Sequence, residues 1–499
     1  MKNRTLLSLI LALALLAGCA PTAEEVPPAP PPPATVASAP APEPAPAPIP
    51  EPTSEPIPSP EPVDFREFLD GVNAARKAAV TREESIELPA EYIPDFYEQN
   101  DTFTEAEMDL LTTSHGPEED LTKDDLLSDA DTFFLLLQTT YGAYYYFGGD
   151  EVFFPIRDAV KEELGALEKP AVRDLEDILY QHLSPLLVDG HFRLGRCTMR
   201  TPHAKYMYYV PGLYLDSAEG AENPDCIKPT IGPDGQICYW YAALSHDGSD
   251  LPDTLDGNSL KWQKARGTRH SDDALAFSRS EWEGVPVLIS RRMSTRQGLG
   301  VSDENALQAF SSCGGEYADS PLLIFDVRGN GGGSDEYIMG WFQDWAGTSN
   351  PTRGAYAHRY SQLSCRIMGH DRYPANRMGT WGWSCREGAW VERSGPVFVL
   401  QDKETASSGE TEVEFFRMAA DVLMVGGPTL GCALVPNNMQ FYLPHSGLDC
   451  FFGTGLFFRE AVENQDGVGY LPDLWVESSQ AMIRVKKLIQ YYGLNGEQS

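Results

Sequence analysis

The chain has 499 residues, 42% of them hydrophobic, and a formal charge of −35 from 73 acidic and 38 basic residues. That is enough apolar material for one large or two medium domains. The charge argues against nucleic acid and anionic lipid surfaces as partners, since both are gripped by clustered Lys and Arg.

Lys2 and Arg4 precede an apolar run from Leu6 to Leu16, which ends in Leu16-Ala17-Gly18-Cys19. The run is short for a membrane-spanning helix and ends in small residues, as a cleaved export signal does. Its end resembles the lipobox of bacterial lipoproteins, which implies a signal peptide over residues 1–18 and a lipid on Cys19. Acyl chains there would anchor the protein to a membrane. An ordinary secretory signal with an incidental cysteine is the alternative. Residues 19–62 read as a linker, because 18 of the 42 residues from Pro21 to Pro62 are proline. Such a segment stays near polyproline II and buries no core. At ~3.1 Å per residue it would reach roughly 130 Å. The expectation is an extracytoplasmic protein tethered to a bacterial cell envelope on a stalk; a proline-rich ligand for another protein is the other reading.

Residues 63–187 read as a helical N-terminal domain. Thr122 is placed to cap a helix whose apolar body is Leu126 to Thr140. A second helix is expected over Phe154 to Leu167, and a third after Pro170 through Leu183. The aromatic run Tyr141 to Phe147 between the first two reads as core packing, with a substrate role as the alternative. Over residues 188–300 the pattern changes to short β-prone runs, Tyr206 to Tyr214, Ile237 to Ala243 and Val285 to Ser290, separated by Gly, Pro and Asp. From 301 to 485 strands and helices alternate, which predicts an α/β core; Asn350 to Gly388 reads as an irregular insertion and 486–499 as a tail. Eight cysteines follow Cys19, none in a Cys-x-x-Cys pair or at zinc-finger spacing, so no metal is expected. Cys226 with Cys238 and Cys365 with Cys385 are locally plausible disulfides, and buried free thiols are the alternative.

Two segments of the core carry chemistry. Pro321-Leu-Leu-Ile-Phe-Asp-Val-Arg-Gly-Asn-Gly-Gly-Gly333 is a buried strand that breaks into a glycine loop. Such a loop lets backbone approach a ligand, and its successive N–H groups can cradle an anion. It has neither Gly-x-Gly-x-x-Gly nor Gly-Lys-Ser/Thr, so nothing marks a nucleotide site and no cofactor is expected. Val397-Phe-Val-Leu-Gln-Asp-Lys-Glu-Thr-Ala-Ser-Ser-Gly-Glu410 is a second buried strand leading into a helix. Its serines sit where helix N–H groups are unpaired and negative charge is favoured. They could cap the helix, or one of them could be a nucleophile.

Together these segments resemble the tail-specific, or C-terminal-processing, serine proteases, in the branch of the tricorn core and the interphotoreceptor retinoid-binding protein. The resemblance is carried by Asp326-Val-Arg-Gly-Asn-Gly-Gly-Gly333, Ser407-Ser-Gly-Glu410 and Gly426-Gly-Pro-Thr-Leu-Gly431, in that order, with Val188-Asp-Gly-His191 before them and Val462 to Val468, then Pro472-Asp473, after them. It implies a ClpP/crotonase-like α/β core and hydrolysis of polypeptide through an acyl-enzyme. In the Ser–Lys branch a lysine stands 25 residues after the serine; here Cys432 holds that place. The tricorn-like branch uses a histidine and a late glutamate instead, which His191 and Glu463 match. That branch can carry a serine before its histidine, where this chain has Gly190.

The resemblance therefore implies Ser407 as nucleophile, His191 as general base and Glu463 as the acid that orients the imidazole, with Asp473 as a substitute. The N–H groups of Ser408 and of Gly332 or Gly333 would form an oxyanion hole, worth ~10²–10³ in rate per donor. Asp326 and Arg328 are expected to brace the loop. The expected partners are a polypeptide substrate and, through the lipid anchor, a membrane. The competing expectation is an inactive peptide- or ligand-binding lipoprotein on the same fold.

Overall fold

The computed structural model describes residues 63–82, 86–95, 102–296, 298–369, 377–459 and 464–496. The expected signal, linker, Cys19 and Glu463 lie outside them.

The centre is a six-stranded sheet in the order Leu474–Trp475, Val422–Gly426, Val397–Gln401, Leu323–Asp326, Val285–Ser290, Phe277–Trp282. All neighbouring strands run parallel except the last pair, which is an antiparallel hairpin. Side chains alternate between the two faces of a strand. Leu323, Phe325, Val397, Val399, Val422 and Met424 accordingly meet Phe310, Trp341, Phe342, Phe415 and Phe416 on one side. Ile324, Phe398, Leu400, Leu423 and Val425 meet Phe65, Leu69, Val485, Leu488 and Ile489 on the other. Both faces are covered, which is why these strands read as unbroken apolar runs.

The predicted helices form at Lys123–Thr140, Gly149–Ala166 and Val172–Leu183. Thr122 and Asp125 cap the first reciprocally, each side chain taking the other's N–H. Tyr141 and Tyr144 are fully buried, as expected of core. This helical core is not self-contained, because Leu434, Phe441, Cys450, Phe452 and Phe458 fill it from the far end of the chain. The helix Phe65–Val80 packs instead on the central sheet.

Three expectations are corrected. The stretch 350–388 is ordered where described: Gly354–Arg359 pairs with Trp381–Arg386 and with Gly455–Arg459 in an antiparallel sheet. The expected tail is the second half of the helix Ser478–Tyr491, whose Leu488 and Ile489 cover the sheet. All eight thiols from Cys197 to Cys450 are free. Cys238 lies opposite Thr230, four residues along its partner strand from Cys226, too far for a bridge.

Candidate active site

Three adjacent parallel strands end at one edge of the sheet, and each continues into one of the motifs. Asp326 leads to the glycine loop, Gln401 to Ser407, and Gly426 to the Thr429 turn. Crevices at the carboxyl ends of parallel strands are where open α/β sheets hold ligands.

Ser407 stands at the turn between the strand Val397–Gln401 and the helix Ser408–Arg417, with φ 53° and ψ −124°. An L residue pays for that conformation, and strain of this kind collects where a side chain must be aimed. The helix is not capped by its hydroxyl. The Glu410 N–H goes to the Ser407 carbonyl oxygen at 2.8 Å, and no hydrogen bond to Ser407 Oγ is present among the described residues.

Glu410 fixes the turn. Its fully enclosed carboxylate accepts from the N–H groups of Ser407 (3.3 Å), Gly431 (2.8 Å) and Cys432 (2.8 Å) and from Thr429 Oγ1 (2.6 Å). It thereby ties the serine elbow to the Gly-x-x-Thr-x-Gly turn. Asn330 ties it to the glycine loop. Its carbonyl accepts from Ala406 N–H at 2.9 Å, its Oδ1 accepts from Gly332 N–H at 2.9 Å, and its Nδ2 donates to Ser290 and Glu412. Burial pushes Glu412 well above the usual carboxylate range.

Gly332 is required by close approach, since a Cβ there would lie 2.7 Å from Ser407 Cβ and 2.9 Å from Ser408 N. Its own N–H is taken by Asn330, so of the two predicted glycines Gly333 is the one with an open N–H. The N–H groups of Ser408 and Gly333 have no hydrogen-bond partner among the described residues. Ser408 Oγ donates to the Gly333 carbonyl at 3.0 Å, holding the two segments together.

His191 follows Gly190, which presses on the same turn: a Cβ at Gly190 would come within 2.6 Å of Cys432 Cα and the Gly431 carbonyl. The serine that some relatives carry at this place has no room here. Two buried carboxyls position the histidine's backbone. Asp189 accepts from the N–H groups of His191 (2.8 Å) and Phe192 (3.2 Å) and from Tyr141 Oη (2.9 Å). Asp466 accepts from the N–H groups of Gly190 (2.8 Å), Ala433 (2.8 Å) and Leu434 (3.1 Å). Burial and the neighbouring Asp466 raise Asp189 to about 7. Burial lowers His191 to about 4, against the opposing pull of Glu410, so the imidazole is neutral at neutral pH. Both ring nitrogens are enclosed without a hydrogen-bond partner, so no His191–Ser407 bond is formed.

Of the other predicted residues, Asp473 gives its carboxylate to Arg76 and to Met424 N–H, bracing the helix Phe65–Val80 against the sheet. Arg328 clasps Asp326 with two hydrogen bonds of 2.8 and 2.6 Å and reaches the Ser478 carbonyl. No lysine stands 25 residues after Ser407, but Lys403 is buried before it. Its ammonium donates to the carbonyls of Thr429, Leu430, Gly467 and Val468 at 2.9–3.2 Å. Burial lowers it to about 7, but every proton of the ammonium faces a carbonyl, so it is a clamp rather than a base. Sequence reasoning singled out neither Asn330, Asp189, Asp466 nor Lys403, since only the assembled loops show their partners. Among the described residues one group could hold a cation, Glu118, Asp125 and His445, and it shares no residue with this site.

A strained serine elbow beside two open N–H groups, at the carboxyl end of a parallel sheet, has the form a serine hydrolase needs, with no base among the described residues in contact with the hydroxyl. Residues 300–476, which hold the glycine loop, Ser407 and the Thr429 turn, match the family model of peptidase family S41. No curated protein matches the sequence. Among solved structures, mature CPAF is 13% identical, covering 76% of this chain and 99% of its own with a TM-score of 0.42. A lipoprotein from Streptococcus agalactiae is 13% identical, covering 74% and 96%, with a TM-score of 0.36. The photosystem II D1 C-terminal processing protease is 14% identical, covering 74% and 97%, also with a TM-score of 0.36. These likenesses are distant.

Proposed function

We propose that this protein is an extracytoplasmic serine endopeptidase, tethered to a bacterial membrane through a lipid on Cys19, that cleaves polypeptide, including C-terminal segments, by way of an acyl-enzyme. Ser407 Oγ attacks the scissile carbonyl and His191 takes its proton. Glu463 orients the imidazole, and the N–H groups of Ser408 and Gly333 receive the oxyanion. The observation that carries this reading is the positive φ of Ser407, which presents an uncommitted hydroxyl beside two unpaired N–H groups. The sequence Leu16-Ala17-Gly18-Cys19 and the proline-rich segment after it support the tether.

The second reading, a binding protein without turnover, is favoured by one observation: His191 and Ser407 are not hydrogen-bonded. Catalytic hydrogen bonds often tighten only when substrate is bound, so the first reading is preferred. Replacing Ser407 by Ala is expected to abolish peptide hydrolysis while leaving the unfolding temperature unchanged. Wild-type turnover in that variant would remove Ser407 as the nucleophile.

A further inference from the structure

Over residues 190–215 and 257–271 the sequence has eight Lys or Arg and no Asp or Glu, in a chain with a formal charge of −35. The fold brings these two stretches together. Tyr208 and Tyr209 pair with Lys264 and Gln263 as antiparallel strands, and Ala265 N–H donates to the Met207 carbonyl at 2.9 Å.

It also brings them to the serine. Gly267 packs on Glu404, three residues before Ser407, so closely that a Cβ would lie 2.3 Å from Glu404 Cγ. Thr268 N–H donates to Asp402 at 2.7 Å. Lys205 N–H donates at 2.9 Å to the Gly467 carbonyl, which also receives the Lys403 ammonium. Met199 N–H donates to the Phe192 carbonyl at 3.0 Å, which sets Arg200 beside the segment that carries His191.

Lys205, Lys261, Lys264, Arg266 and Arg269 are exposed and Arg200 is half-buried. None of the six makes an ion pair among the described residues, although carboxylates outnumber cations almost two to one in the chain. Lys264 lies over the Tyr206 ring, 3.2 Å from its centroid, with Lys403 5.8 Å from the same ring. Several acids border the stretch, each with a partner outside these cations: Asp247 holds Ser249, Asp250 holds the Ser245 hydroxyl, the Asp253 carbonyl accepts from Leu260 N–H, and Asp272 pairs with Arg296. Asp402 is buried and holds the N–H groups of Thr268 and Gly329 and the Ser478 hydroxyl. Glu404 is exposed, and Glu477 caps its own helix.

We propose that Arg200, Lys205, Lys261, Lys264, Arg266 and Arg269 form a cationic rim on the approach to Ser407 that binds acidic side chains of the polypeptide substrate. The inference rests on the peptidase reading and adds the substrate class. A carboxylate-rich segment is repelled by the rest of this surface and attracted here, so the field directs it to the site.

The test uses two peptides blocked at both ends, alike around the scissile bond, one flanked by Asp and Glu and the other by Ser and Gln. Binding to Ser407→Ala protein is read by fluorescence polarisation, and turnover is read on the wild type. The acidic peptide is expected to bind on the order of tenfold more tightly near 0.1 M salt. That preference should vanish near 1 M salt, where the Debye length falls to ~3 Å. It should also vanish in a Lys264→Glu/Arg266→Glu variant of unchanged melting temperature but persist in Arg173→Glu. If that double variant fails to fold, the salt series on the unmodified rim decides. Equal binding of the two peptides, a preference indifferent to salt, or selectivity that appears only with an unblocked C-terminus overturns the rim. Selective binding without wild-type turnover would uphold the rim and defeat the hydrolytic reading. Turnover without selectivity would do the reverse.

Discussion

Ser407 is held at φ 53°, and the groups around it explain how that strain survives. Glu410 and Asn330 between them bind backbone from all three loops, so the elbow cannot relax without breaking buried hydrogen bonds. His191 is kept neutral by burial, which lowers it to about 4 from an ordinary value of 6.5. A group that resists protonation only in the folded state destabilises it as pH falls from 6.5 toward 4, because the unfolded chain takes up the proton first. Asp189 acts in the opposite sense. Raised to about 7 from 3.8, it costs stability as pH rises between those values. The acid limb of activity should follow His191: kcat/KM is expected to fall with protonation of the imidazole near 4 rather than near 6.5. An acid limb at 6.5 in a pH–rate profile contradicts the enclosed, neutral imidazole.

At the scale of elements, the inner strands of the central sheet, Val285–Ser290, Leu323–Asp326, Val397–Gln401 and Val422–Gly426, were legible as short apolar runs. Its outer strands Phe277–Trp282 and Leu474–Trp475 were not, the first being mostly polar and exposed at its middle and the second two residues long. The helix after Ser407 was legible from apolar residues at three- and four-residue steps. What escaped depends on partners remote in sequence. The strand Gly354–Arg359 pairs with Gly455–Arg459, a hundred residues on, and its Ala and Gly residues carry little apolar signal of their own. The helix Ser478–Tyr491 alternates buried Val485, Leu488 and Ile489 with charged and polar positions, a face that is visible once the sheet it covers is known. Replacing Leu488 by Ala should cost ~2–5 kcal/mol in denaturant unfolding, as a fully buried leucine does. A change within experimental error would mean that this helix does not seal the sheet. Ser407, His191, Ser408 and the glycine loop were singled out through motif order. Their supports, Asp189, Asp466 and Asn330, were not, because polar residues in loops announce burial only through their partners.

At the scale of the whole molecule, residues 62–499 hold together as one compact unit. The helical region and the sheets share side chains across it, so His191 and Ser407, far apart in sequence, are fixed by common packing rather than by cross-links. With all eight thiols beyond Cys19 free, reductant should leave the melting temperature unchanged; a drop on reduction would reveal a bridge. The central claim is that the imidazole of His191 activates the hydroxyl of Ser407, two groups remote in sequence. It is tested most directly by reacting the protein with a fluorophosphonate probe and locating the adduct by mass spectrometry, in wild type and in His191→Ala. The account predicts one adduct, on Ser407, formed rapidly in wild type and slower by about 10²–10⁴ in the variant. No adduct on Ser407, or equal rates in the two proteins, contradicts it.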